Sequence, residues 1–245
     1  MTGGALLAST LDLLAFSPPG WGSALLAGLV KSVLIALGAF GLGLLIGIGG
    51  AYGKLYGGPV TRDLLAVYTT IVRAVPELVL ILILYFALTS SINNLLLTLG
   101  FERIQISGFV AGIAVLGVVQ GAYATEVLRG AILSVPSGQI EAARAMGMPP
   151  LMLAWRVTFP QMLAAAIPGL ANLWLIATKD TALLAVVGYA ELTLITRQAA
   201  STTKAFFTFF MAAGLLYLTI SIFSTLLFSR LEAWARRGQV RPGSG

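Results

Sequence analysis

Five windows of at least 22 residues contain no charged side chain, and they constrain the fold of this chain more than any other feature. The windows are 32–53, 78–101, 104–125, 157–178 and 205–229. A bilayer core about 30 Å thick needs about 20 helical residues at 1.5 Å each, so every window is long enough to cross a membrane. We predict one all-α integral membrane domain over 1–245, with five spans near 24–51, 66–90, 106–130, 157–178 and 205–229.

Two further segments need a different interpretation. The apolar run 181–190 is too short to cross a bilayer, so we expect a re-entrant or interfacial piece packed on protein. The first 22 residues lack a basic stretch and contain Asp12, Pro18 and Pro19, which is not typical of a cleaved signal peptide. We expect them to form an amphipathic segment on the outer face.

The residue types that are missing exclude most enzyme chemistry. The chain contains no His and no Cys, which excludes a disulfide framework, a zinc site, a Cys nucleophile and a Ser–His relay. A phosphate-binding loop is also excluded, because the Gly53-Lys54 pair is followed by Leu55 and no Gly occupies position 48. We therefore predict a protein that is not an enzyme and binds no metal or cofactor itself.

The distribution of cations predicts the orientation in the membrane. The net charge is +6, and 58% of the residues are apolar. In so apolar a chain, excess cations are more typical of loops that are sorted across a bilayer than of a nucleic-acid-binding surface. With the N-terminus outside and the C-terminus cytoplasmic, the outer loops hold Arg103, Arg197 and Lys204, with Lys179 at a span end. The inner segments then hold eight cations, namely Lys54, Arg62, Arg144, Arg156, Arg230, Arg236, Arg237 and Arg241. This arrangement obeys the positive-inside rule.

The inner loop 137–160, between the third and fourth spans, has helix start and stop signals. Pro136 ends the preceding helix, and Ser137 is placed to cap a new one. Gly147 lies where a glycine lets the chain reverse after a helix, and Pro150 suits the first turn of the next helix. The pattern predicts a short helix across the cytoplasmic mouth of the protein.

This loop also resembles the EAA loop of ABC-importer permeases. Glu141-Ala142-Ala143 is followed at the family's spacing by Gly147 and by Val157-Thr158-Phe159-Pro160, with Val157 for the usual Ile and Phe159 for the usual Leu. In that family the loop is a coupling helix that docks into the ATPase subunit. The resemblance implies a type I ABC-importer permease (MetI-like) fold and assigns the coupling role to Glu141, Ala142, Ala143 and Gly147.

Other stretches extend the resemblance over roughly residues 24–230. Residues 68–78 resemble the entry to the second span of polar amino-acid permeases, with Ala74 where Gly is usual, and 121–130 and 179–184 resemble two further family signatures. The chain looks closest to the Q-type subunit of histidine and lysine/arginine/ornithine permeases and to octopine and nopaline relatives. The resemblance implies a bacterial inner-membrane subunit that imports polar, in particular basic, amino acids (arginine, lysine, histidine or ornithine) or opines.

The same resemblance implies partners. They are an ABC ATPase dimer that holds ATP and Mg, a second permease (M-type, or a second copy of this chain) and a periplasmic amino-acid-binding protein, in contact with membrane lipid. The alternative is a self-sufficient secondary transporter or channel. It would need inverted repeats or a set of intramembrane titratable groups, and the sequence offers neither.

Charges within spans are expensive, so they are usually functional or paired. Glu126 and Arg129 are three residues apart, and a structural ion pair is favoured over a contact with substrate. Arg73 and Glu77, at a spacing of four, are interpreted in the same way. Glu77 directly follows Pro76 near the inner end of the second span. Basic-amino-acid and opine permeases resemble this chain in carrying an acid after the Pro, and a carboxylate beside the path attracts cationic side chains. We therefore predict that Glu77 helps to select cationic amino acids or related opines.

The remaining polar positions lie in the third and fourth spans. Lys179 and Asp180 are predicted to mark the break after the fourth span as structural or gating charges. Four other polar or aromatic residues either line the substrate path or connect helices, and both interpretations stay open. They are Gln120, Tyr123, Asn172 and Trp174.

Overall fold

The computed structural model describes residues 12–103 and 106–237. The helices are α1 (Gly22–Tyr56), α2 (Pro59–Ala74), α3 (Glu77–Thr98), α4 (Gly108–Leu133), α5 (Ser137–Ala145), α6 (Pro150–Leu153), α7 (Phe159–Asp180), α8 (Leu192–Thr203) and α9 (Phe206–Ala235). A π-helical stretch, Ala154–Thr158, joins α6 to α7, and a 3-10 helix, Thr181–Ala185, follows α7.

Five segments of the described residues are long and apolar enough to cross a membrane, which confirms the predicted number. They are α1, α3, α4, the run Pro150–Ala185 and α9. Helix α4 is the centre of the bundle, because 61% of its apolar window is buried, compared with 28% or less in the other four spans.

Small residues allow α1 to pack closely against α4. A Cβ on Gly43 would lie 2.8 Å from the Cβ of Gln120, and a Cβ on Gly47 would lie 2.5 Å from the Cβ of Ala124. Two adjacent backbones can approach this closely only where a side chain is missing. Gly43 and Gly47 therefore allow close helix packing, whereas Gly41 and Gly49 have no neighbour within 4 Å of a built Cβ.

The predicted second span, 66–90, does not match the structure, because the chain breaks there into two helices and the helix long enough to cross a membrane is α3. Helix α2 ends at Ala74, Val75 is extended with φ −93° and ψ 138°, and α3 begins after Pro76. Proline disfavours a helical conformation in the residue before it and has no N–H to continue the hydrogen-bond ladder. The crossing is thus divided at the point where Glu77 enters the bundle.

The fourth span begins earlier than the predicted 157–178. Pro150 occupies the first position of α6, as predicted, and the helix continues through the π-helical stretch into α7. After α7, the chain forms the 3-10 helix and then a turn at Gly188, whose φ is +83°. Thr181 and Leu184 are fully buried, so the first part of the run 181–190 packs on protein as expected.

The loop helix α5 ends as the sequence predicts but starts differently. Pro136 holds the cap position, so Ser137 becomes the first helical residue and its side chain makes no capping bond. At the other end Gly147 has φ +73°, its N–H bonds to the carbonyl of Arg144, and the N–H of Met148 bonds to the carbonyl of Ala143. This is a Schellman turn.

The predicted amphipathic segment at the N-terminus lies partly outside the described residues, which begin at Asp12. In the described part, Leu13, Leu14 and Trp21 pack on a buried cluster that includes Leu25 and Phe209. This part of the segment therefore contacts the bundle.

Candidate transport site and coupling helix

A polar cluster lies inside the apolar bundle where three spans meet. The break at Pro76 places Glu77 in the first turn of α3, and Asp180 is the last residue of α7. Gln120 and Tyr123 come from the central helix α4. The structure thus brings together three residues that we predicted for the substrate path and one that we predicted as a gating charge.

The side chains of the cluster interact directly. The Nε2 of Gln120 donates a 3.3 Å hydrogen bond to an oxygen of Asp180. The carboxylate of Glu77 interacts with Asp180 and with the hydroxyl group of Tyr123. Asp180 is buried and Glu77 half-buried, and two carboxylates in one poorly solvated site repel each other until a cation or a proton arrives.

The side-chain amide of Gln120 is only partly satisfied by hydrogen bonds with the described residues. Its side chain is 1% exposed, and its Oε1 is buried without a hydrogen-bond partner among the described residues. A buried amide oxygen without a donor is unfavourable, so this position favours a ligand that brings an N–H group.

Arg73 does not form the predicted ion pair with Glu77. The helix break between them removes the one-turn spacing on which the prediction depended, and Arg73 is exposed at the end of α2. Its charge still acts on Tyr123. The cluster therefore has two acidic groups on one side and a guanidinium group within electrostatic range.

The other candidates for the substrate path do not join this cluster. Trp174 is buried, donates a 2.9 Å hydrogen bond to Ser224 of α9 and packs edge-on against Phe40 of α1. It therefore connects helices, which is one of the two interpretations that the sequence left open. Asn172 and Lys179 are exposed on α7.

The predicted pair of Glu126 and Arg129 is confirmed and is part of a larger network. Their side chains are 2.9 Å apart, and the Nζ of Lys54 lies 2.5 Å from the other oxygen of Glu126. Lys54 also donates to the hydroxyl group of Thr69. The ammonium group of Lys54 thus connects α1 with α2 and α4, a role that the sequence did not reveal because these residues are far apart along the chain.

Of the four predicted coupling residues, the structure places three on the surface. Glu141, Ala142 and Gly147 are exposed, and Glu141 has no hydrogen bond or ion pair with any described residue. Ala143 is 4% exposed, so it faces its own chain and is not available for docking, contrary to the expectation. Its small side chain instead lets α5 pack closely against the residues that follow.

Glu191 is a buried acidic residue that the sequence analysis missed. It is fully buried and caps α8 by accepting hydrogen bonds from the amides of Thr193 and Leu194. Ser32 and Tyr217 also donate to it, at 3.2 and 3.1 Å. Burial raises the pKa of Glu191 above its ordinary value. The signal in the sequence is weak, because Glu is not a preferred capping residue.

The described residues contain no group of three acidic side chains that could hold a metal ion. The two carboxylates of Glu77 and Asp180 and the amide of Gln120 are suited instead to hydrogen bonding with an organic cation.

Sequence comparison places the chain among transport proteins. Residues 39–237 match the family described as binding-protein-dependent transport system inner membrane component. The nopaline transport system permease protein of Agrobacterium fabrum is 41% identical over 232 residues, which cover 93% of this chain and 98% of that protein. The histidine/lysine/arginine/ornithine transport system permease protein of Escherichia coli is 36% identical over 213 residues, which cover 87% and 93%.

Solved structures confirm the predicted type I ABC-importer fold. An amino acid ABC transporter crystallised with histidines matches with a TM-score of 0.73 at 27% identity, over 87% of this chain and 94% of that one. The inward-facing methionine ABC transporter MetNI matches with a TM-score of 0.70 at 19% identity, over 90% and 99%, which shows the fold alone. This chain belongs to the family of binding-protein-dependent transport system inner membrane components and is a multi-pass permease subunit of that family.

Proposed function

We propose that this permease subunit moves basic amino acids or related opines across the inner membrane into the cytoplasm. The observation that carries the proposal is the pairing of two carboxylates, Glu77 and Asp180, at the Pro76 break inside the bundle. The transport proteins of nopaline and of basic amino acids that resemble this chain agree with such a substrate.

The chemistry of the cluster matches a cationic substrate. An ammonium or guanidinium group placed between Glu77 and Asp180 relieves their repulsion and compensates for its own loss of water. An N–H of the same group can donate to the unpartnered oxygen of Gln120. Arg73 supplies a positive charge for the carboxylate of the substrate.

The energy for uptake comes from a partner in this proposal. An ABC ATPase dimer binds ATP and Mg, and its closure moves the exposed face of α5 that contains Glu141 and Ala142. A second permease, either of M-type or a second copy, completes the path, and a periplasmic binding protein delivers the substrate. The N-terminus lies outside and the C-terminus in the cytoplasm, which places α5 on the side of the ATPase and follows the distribution of cations.

Reconstitution tests the proposal. The complete importer is placed in vesicles, and uptake of arginine, histidine and glutamate is measured with ATP present. We expect basic amino acids to be taken up and glutamate to be excluded. Uptake of glutamate in preference to arginine would overturn the choice of substrate.

The role of Glu77 is tested with a matched pair of variants. Glu77→Gln keeps the size of the side chain and removes its charge, so we expect the KM for arginine uptake to rise about tenfold, which corresponds to about 1.4 kcal/mol. Glu102→Gln changes an exposed carboxylate in the loop before α4 and should leave the KM unchanged. An unchanged KM in Glu77→Gln would remove this residue from the site.

A further inference from the structure

A cavity of 680 Å³ lies at the end of the bundle that carries the coupling helix. Its walls come from the last turns of α1 and α4 and from the run α6 to α7, and they are mostly aliphatic, as shown by Ile48, Leu128, Ile132 and Met162. The volume is within the range of about 300–1,000 Å³ that is usual for sites that hold an organic molecule.

The lining of this cavity includes none of the four residues of the polar cluster. Leu128, which lines it, is five residues from Tyr123 in the polar cluster, so the two side chains point roughly 140° apart around α4. The lining contains no acidic group, and its polar members are two tyrosines, one threonine and one arginine. A path for polar amino acids needs more polar groups than this surface offers, whereas a hydrocarbon chain needs none.

Arg144 is the one charged residue in the lining, and it comes from α5. Its side chain has no ion pair or hydrogen bond with the described residues. Tyr52 and Tyr56 line the same cavity and contact each other. The exposed rings of Trp155 and Phe159 form a second aromatic pair, and Phe159 also lines the cavity. Aromatic side chains with a polar edge collect where the headgroups of a bilayer begin.

The π-helical stretch gives this wall its shape. Ala154 and Thr158 are its first and last residues, and both line the cavity. A π-helical turn is wider than an α-helical turn, and such turns are rare and often lie at functional sites.

We propose that the cavity binds a glycerophospholipid with an anionic headgroup. One acyl chain fills the apolar interior, where it contacts Leu128 and Met162, and the phosphate accepts hydrogen bonds from the guanidinium group of Arg144. Basic pockets between spans on the cytoplasmic side are a known way to bind anionic headgroups. Because Arg144 lies on α5, the lipid connects the coupling helix to the ends of α1 and α4.

Photolabelling tests this proposal on the intact transporter, purified from membranes through a tag on this chain. The complex is placed in nanodiscs with phosphatidylglycerol or phosphatidylcholine that carries a diazirine at the end of one acyl chain. After irradiation, the labelled peptides are mapped by mass spectrometry. We expect phosphatidylglycerol to label the wall around Met162 and Leu163 at least about fivefold more strongly than phosphatidylcholine, since only the former has a net negative headgroup.

Two pairs of variants separate the headgroup from the acyl chain. Arg144→Gln should reduce labelling by phosphatidylglycerol to the level of phosphatidylcholine, and Arg156→Gln, an exposed arginine outside the cavity, should not. Leu163→Trp fills the interior and should abolish labelling by both lipids, whereas Leu215→Trp on the exposed face of α9 should not. If the importer with Arg144→Gln does not assemble, the Leu163→Trp and Leu215→Trp variants still test whether the acyl chain occupies the cavity.

Three outcomes would overturn the proposal. Equal labelling by the two lipids at this wall would mean that no headgroup is recognised. Labelling that survives Leu163→Trp would mean that the acyl chain lies elsewhere. A photoreactive residue at position 162 that links to another protein chain, with no lipid attached, would mean that a neighbouring subunit fills the cavity.

Discussion

The amide nitrogen of Gln120 lies 3.3 Å from a carboxylate oxygen of Asp180, and both side chains are buried in the bundle. Gln120 belongs to the central helix α4, and Asp180 ends α7, so this hydrogen bond connects two spans. A carboxylate at this depth must have partners, because a charge in an apolar environment is costly. Gln120 therefore holds Asp180 in a conformation that faces Glu77.

Removing this amide should destabilise the bundle. Gln120→Leu leaves Asp180 without its donor, and we expect a loss of about 1–3 kcal/mol in the free energy of unfolding. Thermal unfolding of the detergent-solubilised importer measures the effect. Gln198→Leu, at an exposed position of α8, is the control. Equal melting temperatures for the two variants would show that the hydrogen bond contributes nothing.

Glu191 should make stability depend on pH. Burial raises the pKa of Glu191, so the folded chain keeps its proton to a higher pH than the unfolded chain does. Its contribution to stability is complete below the ordinary Glu pKa of about 4.3 and is lost as pH rises through the raised value.

The matched variant for this effect is Glu191→Gln, which cannot titrate. As pH rises from about 4 through the raised pKa, the melting temperature of the unmodified protein should fall relative to that of Glu191→Gln. Tyr217→Phe keeps the carboxylate but removes one donor, so it should retain the pH dependence. Parallel melting curves for the unmodified protein and Glu191→Gln would contradict the assignment.

The turn after α5, the proposed coupling helix, should be sensitive to a single methyl group. Gly147 has φ +73°, and a residue with a Cβ pays about 1–2 kcal/mol to adopt this conformation. We expect Gly147→Ala to reduce substrate-stimulated ATP hydrolysis by the reconstituted importer several-fold. Gly138→Ala adds the same methyl group within α5, where no atom lies within 4 Å and φ is not positive, and should leave the activity intact. Equal activities would show that the turn does not affect coupling.

Close packing of the first and third spans gives another matched pair. A Cβ on Gly47 would lie 2.5 Å from the Cβ of Ala124, so Gly47→Ala forces α1 and α4 apart and should cost about 1–3 kcal/mol. Gly49→Ala meets no atom within 4 Å and adds a better helix former. Unfolding temperatures of the two variants should differ by several degrees, with Gly47→Ala lower. The same temperature for both would contradict the packing.

The sequence was sufficient to predict structural features that depend only on residues close together along the chain. Charge-free windows predicted five spans because length and polarity alone decide whether a helix can cross a bilayer. Gly147 predicted the end of α5 because a left-handed residue after a helix is a local requirement. The ion pair of Glu126 and Arg129 was predictable for the same reason, since both residues lie on one helix face.

Features that join distant parts of the chain were not predictable in this way. The approach of Asp180 to Glu77 and Gln120 depends on how α3, α4 and α7 pack, and no local pattern contains that information. The ion pair predicted for Arg73 and Glu77 failed because regular helix spacing does not continue across Pro76. Glu191 was missed because its four donors come from three separate helices.

The break at Pro76 has a mechanical consequence for the second crossing. The amide of Val75 bonds back to Ile71 and the amide of Leu80 bonds back to Pro76, so the two backbone ladders end on either side of the junction. Helix α2 is attached to its neighbours through Tyr68 and Thr69, whereas α3 is attached through the buried side chains of Leu80 and Ile81. The angle between α2 and α3 is therefore set by these separate contacts and not by a shared backbone ladder, and the Glu77 carboxylate lies at the junction between them.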